Sequence, residues 1–583
     1  MISYLKTNQN HIKEITSIQK HLSDLNESTF DATIDIIKSS KLYQDREGMK
    51  ILMKNINIFF KFRRKQILSF FKLIDVLIPV VKENFNKREI MTLFKRKEIH
   101  LKLLKDGLIS IEDIVTFYGI KNLNLAFFYP EIQCLSSQYP TFMKELKQAP
   151  KYLSIIEYFT NDSIGDDPRL QSGNTDILSV SIQNDDIEKF QSILSKNNIN
   201  IQNHKIRLTY SELNKYLKKH DIYLIEYAAF HCSFKIFKFL LMNEASFSTL
   251  FLKYAICGGD NEIIHLAEKA IAHSDVQQDM SEILSLSIIF HRYELSEYLI
   301  EFHDVKIENK DFLTSIFYSN YLFFENHILE ISEEYNYLLQ IKENSYLSDT
   351  DIYRLNELKS RINEQVLLSA GNSDIFFLKF LTIFDEIDFN LTGASNSNDN
   401  TSMINPLVYA IQTRNNENAK YLLSLKQIQP DWNLFYKTTP FLLSCYVGNL
   451  EMVEYFINNY YLNTEKGSVD IFQIVEKSGE NALHLATRQS HFDVVKYLVS
   501  LNIFDLNAKS SQDETPLQVA ARLGYKNIFD FLKSTMMNNG FYVDESLKCN
   551  EQRYFPLLNL KPFVMGFTLF ENLKEPISLC LLI

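Results

Sequence analysis

The chain has 583 residues, of which 46% are apolar and 23% are charged, and its formal net charge at pH 7 is −11. This composition excludes a wholly disordered chain and a fibrous protein, and the length suffices for several folding units or for one long stack of repeats. Only 15 glycines and 12 prolines occur. Because both residues are scarcer than usual, the composition disfavours architectures built from strands and turns and predicts a mostly helical protein.

The N-terminal part of the chain, up to about position 160, shows helical periodicity without an internal repeat. Apolar residues recur three or four positions apart, as at Ile12, Ile15, Ile18 and Leu22. We therefore predict a separate helical domain over residues 1–160. Positive charge is concentrated within it, because residues 50–105 contain fifteen Lys or Arg and only four Asp or Glu. This segment carries a formal charge of +11, and the rest of the chain carries −22.

Two clusters of basic residues in this segment predict an anion-binding surface. They are Arg63, Arg64 and Lys65, and Lys95, Arg96 and Lys97. Such a surface can attract the phosphate groups of anionic lipid or of nucleic acid. Two alternatives are docking against the acidic remainder of the chain and simple solvation. Since the phenylalanines between the clusters have helical spacing, they favour a core over base stacking, and an anionic membrane is a stronger candidate partner than nucleic acid.

Self-similarity is clearest in the last third of the chain. Four segments align, beginning with NPLVYA at Asn405, TPFLLS at Thr439, NALHLA at Asn481 and TPLQVA at Thr515. The first and last intervals between these starts are equal, and the middle one is eight positions longer, which indicates one period broken by an insertion. The Thr or Asn can cap a helix, and a following proline suits the first helical turn. Each segment then continues into a second apolar stripe, so the pattern predicts a helix–turn–helix repeat.

Small residues mark the inward face of each predicted first helix. In the regular segments they are Ala410, Ser444, Ala486 and Ala520. A looser set of segments upstream aligns on Ala228, Ala255, Ser287 and Ser315, at intervals somewhat shorter than those of the regular segments. This spacing predicts shortened repeats of the same kind over residues 176–330. A further degenerate unit is predicted from Val366, at the start of a regular array that we place at residues 366–540.

The regular segments strongly resemble ankyrin repeats. The stretches Thr515-Pro516-Leu517, Ala520-Ala521 and Gly524 nearly reproduce the T-P-L-H-x-A-A-x-x-G pattern of that family. Arg414 and Ser490 stand where the pattern has its turn glycine. The middle region, with RRKQ at 63–66 and FFYPEI at 127–132, resembles a domain of unknown function found in large ankyrin-repeat families of parasitic protists, especially trichomonads. That resemblance implies no activity.

No catalytic signature occurs in the sequence. It contains no G-x-G-x-x-G, no G-x-x-x-x-G-K-[ST], no H-E-x-x-H and no G-x-S-x-G. The six cysteines have no metal-ligand spacing, so we expect no catalytic residue, metal or cofactor. His484 occupies the histidine position of the ankyrin pattern, and we expect it to bond to the backbone of a neighbouring repeat.

The sequence predicts an all-α protein in which an N-terminal helical domain precedes an ankyrin-like α-solenoid. Residues 331–365 are predicted to form a helical insertion, and the structure of the tail at 541–583 is not predicted. Since no signal peptide and no uncharged apolar stretch of about 18 residues is found, we expect a cytoplasmic location. We interpret the chain as a non-enzymatic scaffold or adaptor that binds other proteins. The alternative is an adaptor that its basic N-terminal domain directs to anionic membrane or nucleic acid.

The concave face of the repeats is the predicted binding site. Arg488 and Arg522 occupy the same position in successive repeats, near the end of a first helix. We predict that these arginines form a row suited to carboxylates of an acidic or phosphorylated peptide. Solvation of the arginines, or pairing with nearby acids, is the alternative. The complete set of predicted groove residues is Arg414, Tyr446, Arg488, Gln489 and Arg522.

Overall fold

The computed structural model describes residues 1–94, 96–118, 124–133, 167–170, 173–208, 217, 221–274, 277–344, 347–372, 374–387, 405–425, 439–461, 479–541 and 548–549. Within these ranges the regular secondary structure is helical apart from two short antiparallel strands, β1 (Lys205–Ile206) and β2 (Ile222–Tyr223). The predicted all-α class is therefore confirmed.

Twenty-nine α-helices occur in the described residues. Those of the first part are α1 (Ile2–Ser23), α2 (Phe30–Ser39), α3 (Arg46–Phe62), α4 (Ile67–Asn84), α5 (Lys87–Leu93), α6 (Lys97–Lys105), α7 (Ile111–Tyr118), α8 (Asn124–Phe127) and α9 (Tyr129–Ile132). The middle of the chain forms α10 (Ile177–Gln183), α11 (Ile187–Lys196), α12 (Leu224–Phe230), α13 (Phe234–Met242), α14 (Phe251–Gly258), α15 (Asn261–Ala272), α16 (Met280–Ile289), α17 (Tyr293–Phe302), α18 (Asn309–Phe317) and α19 (Tyr321–Asn344). The last part forms α20 (Asp349–Ala370), α21 (Ile375–Leu381), α22 (Pro406–Gln412), α23 (Asn416–Ser424), α24 (Pro440–Val447), α25 (Leu450–Phe456), α26 (Ala482–Arg488), α27 (Phe492–Ser500), α28 (Pro516–Leu523) and α29 (Lys526–Asn538). Short 3₁₀ helices at Lys41–Tyr43, Arg64–Gln66 and Pro168–Leu170 and a π-helical turn at Ile457–Tyr461 complete the described elements.

The chain divides into two compact units. The first comprises Met1–Ile114 and Leu123–Ser332, and the second comprises Val115–Asn122 and Glu333–Ile583. The first unit therefore holds the N-terminal helices together with the middle repeats. The predicted domain limits at residues 160, 176, 330, 365 and 540 stay predictions. Most of the 541–583 tail lies outside the described residues.

Helices in the repeat regions are arranged in pairs. In the first unit, the first helices α12, α14, α16 and α18 pack against one another in sequence. Of these, α12, α14 and α16 also pack against the second helix of their own pair. In the second unit, the first helices α20, α22, α24, α26 and α28 pack in the same manner. The apolar stripes of α27 and α29, including Val494, Val495 and Ile528, are buried, as the repeat pattern predicts.

The starts of the first helices in the second unit match the predicted capping. The side chains of Asn405, Thr439, Asn481 and Thr515 each accept a backbone N–H from the first turn of the following helix. Proline follows three of these caps, where the missing N–H has no intrahelical partner to lose. Local signals in the sequence therefore locate these helix starts correctly.

One turn geometry joins the two helices of nine pairs. A residue with φ between 52° and 88° follows each first helix, and these residues are Asp185, Cys232, Gly259, His291, Ser319, Arg414, Gly448, Ser490 and Gly524. In eight turns the next residue donates its backbone N–H to a carbonyl five positions earlier; in the ninth, Gly259 donates to Ala255. The acceptors are Ser181, the four small residues predicted to face inward and the four small residues on which the upstream segments align. Their burial and their part in the turn confirm the predicted register.

A side-chain bond links seven of these turns to the pair before them. In each case the residue directly after the positive-φ residue donates from its side chain to a carbonyl at the end of the preceding first helix. The donor–acceptor pairs are Ser233–Ile182, Arg292–Gly258, Asn320–Ile288, Asn415–Gly371, Asn449–Ile411, His491–Tyr446 and Tyr525–Arg488. The carbonyls at a helix end have no intrahelical partner, so these bonds satisfy groups that would otherwise need water.

The N-terminal helices of the first unit contact the turns of its repeats. The Gln19 side chain donates to the Ser319 carbonyl at 2.7 Å. The rings of Phe62 and Phe290 have centroids 4.5 Å apart. Aromatic pairs at this separation stabilise a fold by more than the burial of their apolar area alone. Helices α1 and α3 therefore help to cover the turn side of the middle repeats.

Two long helices cover the segment predicted as an insertion at residues 331–365. Helix α19 begins at Tyr321 and ends at Asn344, and α20 runs from Asp349 to Ala370, so both extend beyond the predicted limits. Within the second unit, Arg354 joins them by donating from Nε and Nη2 to the two carboxylate oxygens of Glu334 at 2.6 and 2.9 Å. The carboxyl half of α20 packs as the first helix of a pair with α21, which places the degenerate unit predicted from Val366.

Candidate protein-binding face

Four residues occupy one repeat position in the last turn of successive first helices. Each stands seven positions after the helix-capping residue, and the set is Gln412, Tyr446, Arg488 and Arg522. We name this set the inner row. The sequence interpretation found three of its members but missed Gln412 and included Arg414 in its place.

Each arginine of the inner row pairs with a glutamate that precedes its own helix. Arg522 donates from Nε and Nη2 to the two carboxylate oxygens of Glu514 at 2.6 and 2.9 Å. Arg488 donates from Nε to Glu480 Oε1 at 2.7 Å, and its Nη2 contacts the same oxygen. Each guanidinium group therefore points toward the N-terminal end of its own helix. The predicted alternative, pairing with nearby acids, is the arrangement found.

The glutamates were missed by the sequence interpretation, although a signal for them exists. Glu480 and Glu514 recur at the same interval as the two arginines, and each stands eight positions before its partner. The hydrogen bonds to Glu514 raise the pKa of Arg522, so its charge is permanent at any pH the protein meets. The repeated Glu–Arg pair is a feature of both repeats.

Part of each guanidinium stays accessible. The Arg488 side chain is 33% exposed and the Arg522 side chain is 39% exposed. Their glutamates are more buried, at 7% and 21%. Both Nη1 groups lack a hydrogen-bond partner among the described residues. An incoming acceptor can therefore reach the edge of each guanidinium that the glutamate leaves open.

His484 connects the two repeats that carry these pairs. One ring nitrogen, Nδ1, lies 2.7 Å from the Asn481 side-chain oxygen, and Nε2 lies 2.9 Å from the Glu514 carbonyl. Burial lowers the pKa of His484. The expected backbone bond to a neighbouring repeat is confirmed. Since Glu514 also holds Arg522, this bond fixes the spacing between the two Glu–Arg pairs.

Two predicted groove residues lie at the turns instead of in the inner row. Arg414 has φ of 59° and donates from Nη2 to the Val447 carbonyl at 2.5 Å, so its side chain bridges two turns. Gln489 is the half-buried residue that caps the end of α26. Tyr446 is half-buried and belongs to the row. The structure therefore brings together three of the five predicted residues.

The predicted basic surface of the first unit is only partly described. Arg63 is buried, so it is not part of an exposed cluster, and Lys97 Nζ lies 4.5 Å from the centroid of the Phe127 ring. Lys65 is exposed and Arg96 is half-buried at the residue before α6. Lys95 and the side chain of Arg64 lie outside the described residues. Anion binding by this set of six stays a prediction.

Acidic residues pair with some of the basic residues in the 50–105 segment. Lys102 contacts Asp75 at 2.6 Å and Asp106 at 2.8 Å. Lys105 contacts Asp167 at 2.6 Å. Because these ions neutralise each other locally, the net charge of the segment overstates the field that a membrane or nucleic acid would meet. The predicted phenylalanine core is confirmed by the burial of Phe59, Phe60, Phe62, Phe70, Phe71 and Phe94.

The FFYPEI stretch has a structural role. Arg169 donates to both carboxylate oxygens of Glu131 at 2.6 and 2.8 Å, and it also bonds to Asp167 and to the Phe127 carbonyl. Burial opposes its charge, but the bonds to Asp167 and Glu131 raise the pKa of Arg169. This buried arginine thus has two carboxylates in contact with its guanidinium.

The described ranges contain neither a cluster of metal-ligating residues nor a membrane-spanning helix. No group of three or more His, Cys, Asp or Glu residues there could hold a metal ion. None of the helices among the described residues combines the length and the apolar character required to cross a bilayer.

Comparisons with known proteins identify the repeats at the C-terminal end. Residues 460–541, which contain both Glu–Arg pairs, match a family model described as ankyrin repeats in three copies. A comparison with curated proteins finds no similar sequence. The resemblance of the middle region to the protist family stays a prediction. Residues 460–541 are thus similar to ankyrin repeats, which are generally protein–protein interaction modules.

Proposed function

We propose that the protein is a non-enzymatic scaffold or adaptor that binds other proteins through the inner row of its C-terminal repeats. The similarity of residues 460–541 to ankyrin repeats supports binding to protein, and that family is typically non-enzymatic. The stacked helix pairs support a solenoid, in which equivalent residues of neighbouring repeats form a continuous groove.

The repeated Glu–Arg pair is the observation that carries this proposal. A free arginine loses conformational entropy when it binds, whereas Arg488 and Arg522 are already held by their glutamates. Both present an open guanidinium edge at the same repeat position. A partner that runs along the groove in an extended conformation can place a carbonyl or carboxylate oxygen against each edge.

The pairing changes the expected partner chemistry. Glu480 and Glu514 neutralise the two guanidinium charges, so the row attracts anions less strongly than two unpaired arginines would. Main-chain carbonyls of the partner then become suitable acceptors besides its carboxylates. Tyr446 extends the row by one repeat and adds an aromatic side chain, a residue type enriched in interfaces.

The test is quantitative affinity capture with full-length protein that carries Arg488→Gln and Arg522→Gln. The matched control is Arg354→Gln in the same unit, because Arg354 is 40% exposed and is bound by Glu334 through the same two nitrogens. We expect the double variant to lose at least one captured protein that wild type and the control retain. Circular dichroism checks that helix content is unchanged. A folded double variant with the same captured proteins as the control excludes the inner row as the binding site.

A further inference from the structure

Arg63 lies where the N-terminal helices meet the repeats of the first unit. It follows the last residue of α3 and is only 6% exposed. Its Nη2 group donates to the Ser23 hydroxyl at 3.0 Å and to the Phe290 carbonyl at 3.2 Å. Both acceptors are neutral. No described residue accepts a hydrogen bond from Nη1, which is also buried.

Arg292 reaches the same region from a repeat turn. Its Nη2 group donates to the Gly258 carbonyl at 2.8 Å. The guanidinium lies against Gly259, where a β-carbon would overlap it, so the side chain is closely fitted to this turn. The Nε group is buried, and no described residue accepts its hydrogen bond. Arg292, like Arg63, therefore has a buried N–H group with no hydrogen-bond acceptor among the described residues.

Arg63 bonds to Phe290, two positions before Arg292, so both arginines belong to the same turn region. Burial, together with the nearby charge of Arg292, lowers the pKa of Arg63 to about 9. Burial lowers the pKa of His291 and raises the pKa of Cys232, and the charges of both arginines act to lower these two pKa values. Asp24 and Asp260 lie near enough to favour these charges, but neither is within ion-pair distance in the described structure. Arg63 is thus buried and Arg292 half-buried, and among the described residues no carboxylate contacts either guanidinium.

Arg169 shows how this chain otherwise accommodates a buried arginine. It is 5% exposed, nearly the same as Arg63, yet it contacts the carboxylates of Glu131 and Asp167. Removing charges from water without such partners costs several kcal/mol per ion. The contrast indicates that the pair Arg63 and Arg292 lacks an anionic partner that no described residue supplies.

We propose that Arg63 and Arg292 bind a small oxyanion of the phosphate class, and that this anion stabilises the contact between the N-terminal helices and the repeats. Guanidinium N–H groups are matched to phosphate oxygens in geometry and charge. Because Arg63 is buried, the proposed ligand is a free anion or a small phosphate monoester and not a protein segment.

The test measures phosphate binding to the full chain by equilibrium dialysis and by thermal unfolding, with chloride at matched ionic strength as the reference. We expect one phosphate per chain and a higher unfolding temperature than in chloride. Arg63→Gln and Arg292→Gln should each weaken phosphate binding about tenfold or more. Arg169→Gln is the matched control, because it removes a buried arginine that already has its anions. It should lower the unfolding temperature and leave phosphate affinity unchanged.

Glycerol 3-phosphate, used as a second probe, distinguishes the source of the anion. Tighter binding of inorganic phosphate indicates a free ion, and equal or tighter binding of the monoester indicates a small phosphorylated compound. The absence of stabilisation by either probe overturns the proposal, as does an equal loss of affinity in Arg169→Gln. Should Arg63→Gln fail to fold, Arg292→Gln and the response of the wild-type chain to phosphate still decide the result.

Discussion

The imidazole of His491 occupies the space that a β-carbon on Gly448 would need. From there its Nε2–H donates to the Tyr446 carbonyl at 2.8 Å, which joins two successive repeats. Gly448 itself has φ of 69°, in the region that residues with side chains disfavour. The glycine therefore serves both its own turn and the side chain of the next repeat.

Replacing Gly448 with alanine should destabilise the second unit by more than its backbone conformation alone explains. An alanine at positive φ costs about 1 kcal/mol, and overlap with the His491 ring adds to this cost. Gly540→Ala is the matched control, since Gly540 has φ of 75° and open space around it. Urea unfolding should show the larger loss for Gly448→Ala. An equal loss in both variants, or no relief when His491→Ala is added, contradicts the steric explanation.

Truncation of Leu483 should affect the second unit selectively. This side chain is fully buried in α26, and Leu-to-Ala changes in such cores cost about 2–5 kcal/mol. Because repeats contact mainly their neighbours, the loss should be greatest in the C-terminal repeats. Hydrogen exchange read by mass spectrometry should show faster exchange there and unchanged protection in α1 to α4. Equal acceleration along the whole chain would contradict local coupling.

Acid should destabilise the first unit through His100. Burial lowers the pKa of His100 to about 4 from its ordinary 6.5, and Nε2 bonds to the Met91 carbonyl at 2.9 Å. The unfolded chain binds the proton more readily, so the stability that neutral His100 contributes is complete above pH 6.5 and is lost as pH falls toward 4. The loss can reach about 3 kcal/mol. Urea midpoints between pH 7.5 and 4.5 should fall less in His100→Gln than in wild type, and parallel falls in the two proteins would show that another group is responsible.

Asp311 should have the opposite pH dependence. Burial raises the pKa of this carboxyl to about 6, although it accepts bonds from the Glu308 N–H and the Ser285 hydroxyl. The folded state holds the proton more tightly than the unfolded state, so stability falls as pH rises from about 4 to 6. Asp311→Asn removes this titration while keeping a polar amide in place. Its unfolding midpoint relative to wild type should increase between pH 5 and pH 7.5. A constant difference across this range would show that Asp311 does not titrate there.

The sequence predicted the features that depend on short stretches of chain. Thr515 and the proline after it mark a helix start, and Ala520 marks the turn that follows, because each interaction spans only a few residues. Ser490 and Arg414 were identified at the turn position, and their positive φ confirms that they replace glycine there. Periodicity was therefore sufficient for the class of fold and for the repeat register.

Apart from the bond between His484 and the next repeat, contacts between distant residues were not predicted. Arg63 and the Phe290 carbonyl are 227 positions apart, and nothing in the basic cluster distinguishes Arg63 from residues that stay exposed. The pairing of Arg488 with Glu480 was also missed, although both recur in the next repeat, because a separation of eight positions that crosses a helix start is not a recognised pairing distance. Charge patterns show which ions are present, whereas tertiary packing determines which of them meet.

The side-chain bond that links seven of the turns to the pair before them is made by several kinds of donor. Serine, arginine, asparagine, histidine and tyrosine all supply it at different points along the chain. Only a hydrogen-bond donor of suitable length is required, so different residues can occupy this position and make the same bond. The match to ankyrin repeats covers residues 460–541, and the same turn already occurs at Asp185. Helix pairs that share this bond between turns can differ in sequence and still stack on one another.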